Sequence, residues 1–259
     1  MENEANRSCH TQKKQNFSEF VKNFLKSHEN DVNTIIQINQ LSNESGIEKR
    51  RLYDFMNVLV ACGICSKFNT HSYQWNGLHC LNNLVSNISH EIEVRAIRED
   101  PTFLFNLPKS PTIGNLVNSF LGVFVYFGIP SFHIKDIALL FSDDEEKSKP
   151  MLRRLYLVSF LLERIGIMKH STKVGECQID VDLNQTMKTT FETMSKNSEF
   201  PPDCIEHQLN RFDDLYITRL RIDRREQLVN HLQMRVDKIR KNNKSYNLEL
   251  LSRSYEVGL

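Results

Sequence analysis

The chain has 259 residues, with 33 Lys and Arg against 32 Asp and Glu, so its net charge is only about +1. That balance excludes a histone-like or tail-driven nucleic-acid binder, which carries a large basic excess. With 40% hydrophobic and 25% charged residues it reads as an ordinary globular chain, and nine Gly and seven Pro are few for an all-β sandwich, so helix should dominate.

The opening MENEANRSCHTQKKQN is polar, which argues against a secretory signal, and residues 1–15 are expected to be disordered. Phe17, Phe20, Val21, Phe24 and Leu25 then follow the spacing of an amphipathic helix. Ile36 and Ile38 alternate as in a short strand, and Asn39 is placed to cap a second helix ending near Gly46. A third helix is predicted from Ile47 to about Cys62, with Leu52, Phe55, Met56 and Leu59 on its apolar face. Gly63 suits the position just past its end, because glycine accepts left-handed backbone angles. Ile64 to Phe68 and Ser72 to Trp75, joined by Asn69-Thr70-His71, read as a β-hairpin. Three helices followed by a hairpin is the winged-helix layout.

The chain then repeats itself. At an offset of 103, Arg50, Arg51, Leu52 and Tyr53 recur as Arg153, Arg154, Leu155 and Tyr156, and Leu59, Gly63 and Ile64 as Leu162, Gly166 and Ile167. Phe17 and Phe24 match Phe120 and Phe127 at the same offset, so two copies of one domain are expected. In the second copy, helices are predicted around Phe120 to Phe127, Ile134 to Phe141 and Pro150 to Arg164, with Pro150 in a first turn. Its hairpin would be Ile167 to His170 and Cys177 to Val181. The apolar run Phe120 to Ile129 is about half of what a membrane span needs, so no membrane partner is expected.

Lys49, Arg50 and Arg51 crowd the first turn of the third helix, where the helix macrodipole favours acids. Such a turn is poor helix design unless an anion compensates. In helix-turn-helix domains this turn enters the DNA major groove, where Arg can bind guanine O6 and N7 together. Asp54, at i+4 from Arg50, is placed to hold a guanidinium, and Tyr53 and Asn57 are placed to reach phosphates or polar neighbours. A solvated charged face is the plainer alternative, and the second arginine pair weighs against it.

The segment Gly46 to Asp54 with Asn57-Val58-Leu59 resembles the recognition helix of the E2F/DP transcription-factor family, and Tyr73-Gln74-Trp75-Asn76-Gly77 resembles that family's wing. The duplicated RRLY is similar to the atypical E2F branch, whose members carry two DNA-binding domains in one chain. The resemblance covers about residues 17–80 and 111–181, roughly half of the chain. It implies that Arg50 and Arg51 read G·C pairs of a TTTSSCGC-like element, with Arg153 and Arg154 reading the other half. It also implies a nuclear regulator of cell-cycle genes transcribed by RNA polymerase II, mostly a repressor, working without a DP partner. The residues expected to meet double-stranded DNA are Lys49, Arg50, Arg51, Tyr53, Asp54, Asn57, Lys67, Arg153, Arg154 and Tyr156. In the second copy Leu157 replaces Asp54 and Phe160 replaces Asn57, which points either to a domain–domain interface or to looser phosphate binding.

Six scattered Cys form no disulfide framework and fit a reducing compartment. Cys62 and Cys65 make a lone CxxC without a second ligand pair, so packed thiols are expected and no metal or other cofactor. Asp143 to Glu146 read as a solvated loop. No nucleotide-binding or hydrolase motif is present, so no enzyme and no small-molecule substrate are expected. Ile88 to Ile97 suggest a short helix in the connector. Beyond Pro202 the chain reads as helix, with Ile222, Val229, Leu232, Val236, Ile239, Tyr246 and Leu250 in coiled-coil steps interrupted by Arg225 and Asn243. Either these residues form a dimer seam, for a homodimer or a DP-like partner, or the tail folds back on the winged helices. Lys238, Arg240, Lys241 and Lys244 are a nuclear-import signal or a solvated face.

The expected fold is therefore mainly α with small β-hairpins: two winged-helix domains plus a C-terminal helical or coiled-coil segment. The domain plan is 1–15 disordered, 16–80 first winged helix, 81–110 connector, 111–183 second winged helix, 184–202 linker and 203–259 helical tail. Two rival readings stand beside the DNA-binding regulator. One is a protein-interaction scaffold, the other an E2F/DP-type subunit that needs a dimer partner; an RNA-binding winged helix is weaker than both.

Overall fold

The computed structural model describes residues 16–99, 101–108, 110–142, 145–209 and 211–242. The N-terminal segment, Asp143, Asp144, Asn243, Lys244, Tyr246 and Leu250, all named above, lie outside the described residues. The burial of Ile239, Arg240 and Lys241 lies outside them as well.

Asn16 caps α1 (Phe17–Ser27), its side chain accepting from the Ser18 amide at 3.1 Å. The helix buries Phe20, Val21, Phe24 and Leu25. β1 (Ile35–Gln37) leads directly into α2 (Ile38–Ser45), which starts without a side-chain cap, so Asn39 lies inside the helix rather than capping it. α3 (Lys49–Ala61) follows, then β2 (Cys65–Asn69) and β3 (Ser72–Trp75). The strands pair antiparallel in the order β1-β3-β2, with Ile36 opposite Tyr73 and Cys65 opposite Trp75. Phe55 of α3 meets Phe20 and Phe24 edge-on at 6.0 and 5.3 Å, and Phe24 meets Trp75 at 5.9 Å.

A short 3-10 helix at Leu78–Asn83 leads into α4 (Leu84–Ala96) and α5 (Pro101–Leu104). The second unit contains α6 (Ile113–Phe127), β4 (Ser131–His133), α7 (Ile134–Leu140), α8 (Glu145–Ile165), β5 (Met168–His170) and β6 (Glu176–Ile179). Its sheet order, β4-β6-β5, repeats that of the first unit. The constant offset read from the sequence does not hold throughout. Ile35 of β1 matches Ser131 of β4, and Ile38 matches Ile134, because the segment after α6 is short. Extra residues at the start of α8 restore the register at Arg153. Pro150 accordingly sits inside α8 and not in its first turn, and Glu145 and Glu146 are helical rather than loop. Acids at the start of a helix are favoured by its dipole, which supports the extension.

Residues 184–202 are not a bare linker. They hold α9 (Leu183–Lys196), whose Leu183, Met187, Thr190, Phe191 and Met194 are buried. Threonine and polar neighbours dilute that face, so its composition reads as linker. After α10 (Ile205–Gln208) comes the long α11 (Asp214–Asn242). Leu228, Leu232 and Val236 of α11 are buried in the same apolar cluster as both winged helices, whereas Val229 is 40% exposed. Among the described residues, this face of α11 follows the fold-back alternative, packing on α6, α7 and α9, while Val229 and Met234 stay exposed.

Arginines hold α11 in place. Arg224 grips Glu93 of α4 with two hydrogen bonds at 2.7 and 2.6 Å, donates to the Tyr126 carbonyl at 3.1 Å and stacks over the Tyr126 ring at 3.9 Å. Arg225 donates to the Phe127 and Gly128 carbonyls at 3.2 and 2.5 Å. Gly128, at φ +60°, lies against the Arg221 side chain, so a Cβ there would strike the guanidinium. Arg224→Met should cost about 3–5 kcal/mol in urea unfolding, because it strands the buried Glu93 carboxylate. Glu93→Leu combined with Arg224→Met should recover most of that loss. An equal loss in single and double variants would show that packing, not charge pairing, sets the cost.

Candidate nucleic-acid interface

α3 begins after Glu48, which makes no side-chain cap, and its first turn contains no acid. Lys49, Arg50 and Arg51 are all exposed there. Among the described residues their side chains make no hydrogen bond or ion pair; the Arg51 guanidinium lies 5.8 Å from the Phe17 ring. Three cations at the positive end of a helix, none of them in an ion pair among the described residues, form a site that gains from a bound anion.

The Tyr53 hydroxyl and His71 Nδ1 share a hydrogen bond at 2.7 Å, tying α3 to the turn of the β2–β3 wing. Asn69 Oδ1 accepts from the His71 amide at 3.0 Å and shapes that turn. Asn57 and Lys67 are exposed, the latter on β2 opposite Tyr73. Trp75 is fully buried, so the wing closes on a core residue. The sequence places His71 only in the hairpin turn, since nothing in its spacing relates it to Tyr53.

Asp54 does not clamp either neighbouring arginine: no hydrogen bond or ion pair joins them among the described residues. Partial burial pushes its carboxyl up, opposed by the positive charges of Arg50 and then Arg154. Asp54 thus lies within electrostatic reach of an arginine from each copy. In the second copy Arg153 is exposed, without a hydrogen bond or ion pair among the described residues. Arg154 differs, because its Nη2 donates to the Pro111 carbonyl at 2.5 Å. Tyr156 is 43% exposed. The two arginines are therefore unequal, which the matching sequence does not reveal.

Of the two explanations for Leu157 and Phe160, the interface fits. Both are partly buried against the shared core, and the Phe160 ring lies 6.2 Å from Phe17 of the first copy. α3 packs against α6, α1 against α8, and α3 touches α8. Under the repeat α1 corresponds to α6 and α3 to α8, so the first two contacts exchange and the third maps onto itself. The copies thus meet through the same pairing of elements in both directions, with α3 on α6 much the more extensive contact.

Cys62 and Cys65 are buried, and burial pushes both thiols up to about 12. No group of three or more metal-ligating side chains is clustered among the described residues, and no helix there is long and apolar enough to cross a membrane. At pH 8 the native chain should leave Cys62 and Cys65 unalkylated by iodoacetamide while the partly exposed Cys80 reacts, as read by peptide mass spectrometry. Modification of Cys62 or Cys65 at the rate of Cys80 would contradict the packing.

Residues 13–77 match the model of the E2F/DP family winged-helix DNA-binding domain, a span that ends before the second copy. An E2F transcription factor-like protein of Arabidopsis thaliana, E2FF, is 29% identical over 68 residues, 26% of this chain and 19% of that protein. Transcription factor E2F7 of Xenopus tropicalis is 34% identical over 55 residues, 21% of this chain and 6% of its own length. Transcription factor E2F8 of Bos taurus is 33% identical over 57 residues, 22% of this chain and 7% of its own. The chain thus spans less than a fifth of the length of these relatives. Residues 13–77 thus carry a winged-helix DNA-binding domain of the E2F/DP type.

Proposed function

We propose that this protein is a nuclear, non-enzymatic transcription regulator that binds a specific double-stranded DNA element with a G·C core, similar to TTTSSCGC. Arg50 and Arg51 read one part of the core, and Arg153 reads the other. Lys49, Tyr53, Asn57, Lys67 and Tyr156 contact phosphates or position those readers. The observation that carries this reading is the quasi-symmetric packing of α3 on α6 and α1 on α8, which leaves Lys49, Arg50, Arg51 and Arg153 exposed. The second copy packs on α1 and α3 of the first, so both readers are held together in one chain, which supports DNA binding without a DP subunit. A scaffold that used this surface for protein assembly would instead commit the arginines to ion pairs.

Because α3 and α8 touch, they cannot sit a full helical turn apart, as in spaced helix-turn-helix dimers. They suit one uninterrupted site. Tethering in one chain raises the effective concentration of the second reader. Repression of cell-cycle genes is the biological role this reading favours.

The test is selection of random duplexes by the purified full chain without DP. A continuous G·C-core element should emerge, and inserting about five base pairs at its centre should abolish binding. Arg50→Ala and Arg51→Ala should each cost about 1–3 kcal/mol and relax base preference at the core. Affinity should fall with salt, with a slope set by the phosphates contacted. No enriched sequence, or arginine variants with unchanged preference, would defeat the proposal.

A further inference from the structure

We infer that α11 positions the second recognition helix, and that Arg235 is the positioning residue. The functional part of this inference rests on the DNA-reading role proposed above. In the first copy the turn between α2 and α3 is closed by its own residues. Gly46 takes a left-handed conformation and donates its amide to the Ser42 carbonyl at 2.9 Å. The Ser42 hydroxyl donates to the Ile47 carbonyl at 2.8 Å, and the Ser45 hydroxyl to the Leu41 carbonyl at 2.6 Å.

The second copy keeps a backbone closure, the Phe141 amide donating to the Ile137 carbonyl at 3.0 Å, but lacks the two serine hydroxyls. With Ile38 matched to Ile134, Ser42 becomes Ala138, Ser45 becomes Phe141 and Gly46 becomes Ser142. The end of α7 still presents carbonyls that need partners. Arg235 supplies them from outside the domain: its Nη1 donates to the carbonyls of Leu139, Leu140 and Ser142, the last two at 3.0 and 2.8 Å. A guanidinium at the negative end of α7 is also favoured by the helix dipole. Ser142 precedes α8, the helix that carries Arg153 and Arg154, so the tail holds the end of α7 that leads toward that helix. Copy one adds its own serine hydroxyls to the closure; copy two adds a guanidinium from the tail.

The experiment compares Arg235→Met and the milder Arg235→Lys with wild type, all as full chains. The first readout is amide hydrogen exchange, which needs no DNA. In Arg235→Met, exchange over residues 139–142 and the first two turns of α8 should rise at least tenfold, with α2 and α3 unchanged; Arg235→Lys should fall between. The second readout is competition by duplexes mutated in either half of the selected element. Arg235→Met should lose about tenfold of the discrimination at the half read by the second domain and keep that at the first. Unchanged exchange at the turn, or equal losses at both halves, would overturn the inference. If the wild-type chain selects no duplex, DNA reading fails, and the exchange comparison alone decides whether Arg235 holds the turn.

Discussion

The apolar side of α3, with Leu52, Phe55, Met56, Val58 and Leu59, is fully buried, and part of what covers the helix is α6 of the second copy. A recognition helix must be apolar on one side and free on the other, and a winged helix of this size has little core to spare. Joining the copies through α3–α6 and α1–α8 lets one apolar cluster run through both domains, α4 and α11. The same contact fixes where the arginine pairs stand. Anything that loosened it would change both stability and the spacing of the charged groups.

That constraint accounts for the unequal copies. The first keeps the polar devices of a free-standing reader: the Tyr53–His71 link to its wing, a serine-closed turn and an exposed basic first turn. In the second, Leu157 and Phe160 pack where Asp54 and Asn57 stand in the first, and Phe160 reaches Phe17. Arg154 is spent on the Pro111 carbonyl. Support comes instead from the tail, whose Arg224, Arg225 and Arg235 meet carbonyls at the ends of α6 and α7. Polar groups that do local work in the first copy are replaced by apolar contacts and borrowed donors in the second.

Much of this architecture was legible because it depends on spacing. The three-helix-and-hairpin order and the paired RRLY motifs follow from periodicity and identity, and the structure has the same sheet order in both copies. Pro150 misled the start of α8, since proline at a first turn is only a preference. α9 was hidden because threonines sit among its apolar residues. The tail shows the limit most sharply. Arg225 looked like an interruption in a seam, yet on α11 the arginines at positions 221, 224, 225 and 235 are what bind the helix to the domain. Apart from side chains such as Glu93 and Asn184, their partners are backbone carbonyls, which have no residue identity and leave no trace in sequence.

Charge can be placed on the same footing. Residues 17–77 hold six basic and six acidic side chains, and residues 111–181 hold eight of each, so neither domain is basic as a whole. What differs is which charges are committed. In the second copy and the tail, Arg154, Arg224, Arg225 and Arg235 are occupied by carbonyls or by Glu93. Lys49, Arg50 and Arg51 remain exposed, without a hydrogen bond or ion pair among the described residues. An overall charge near zero is then compatible with a strongly localised positive surface, because the acids offset cations that already serve the fold. The field at α3 is short-ranged under such neutrality and decays over about one Debye length, roughly 8 Å at physiological salt. A DNA reader built this way relies less on long-range attraction than on fitting a few side chains to the correct groove.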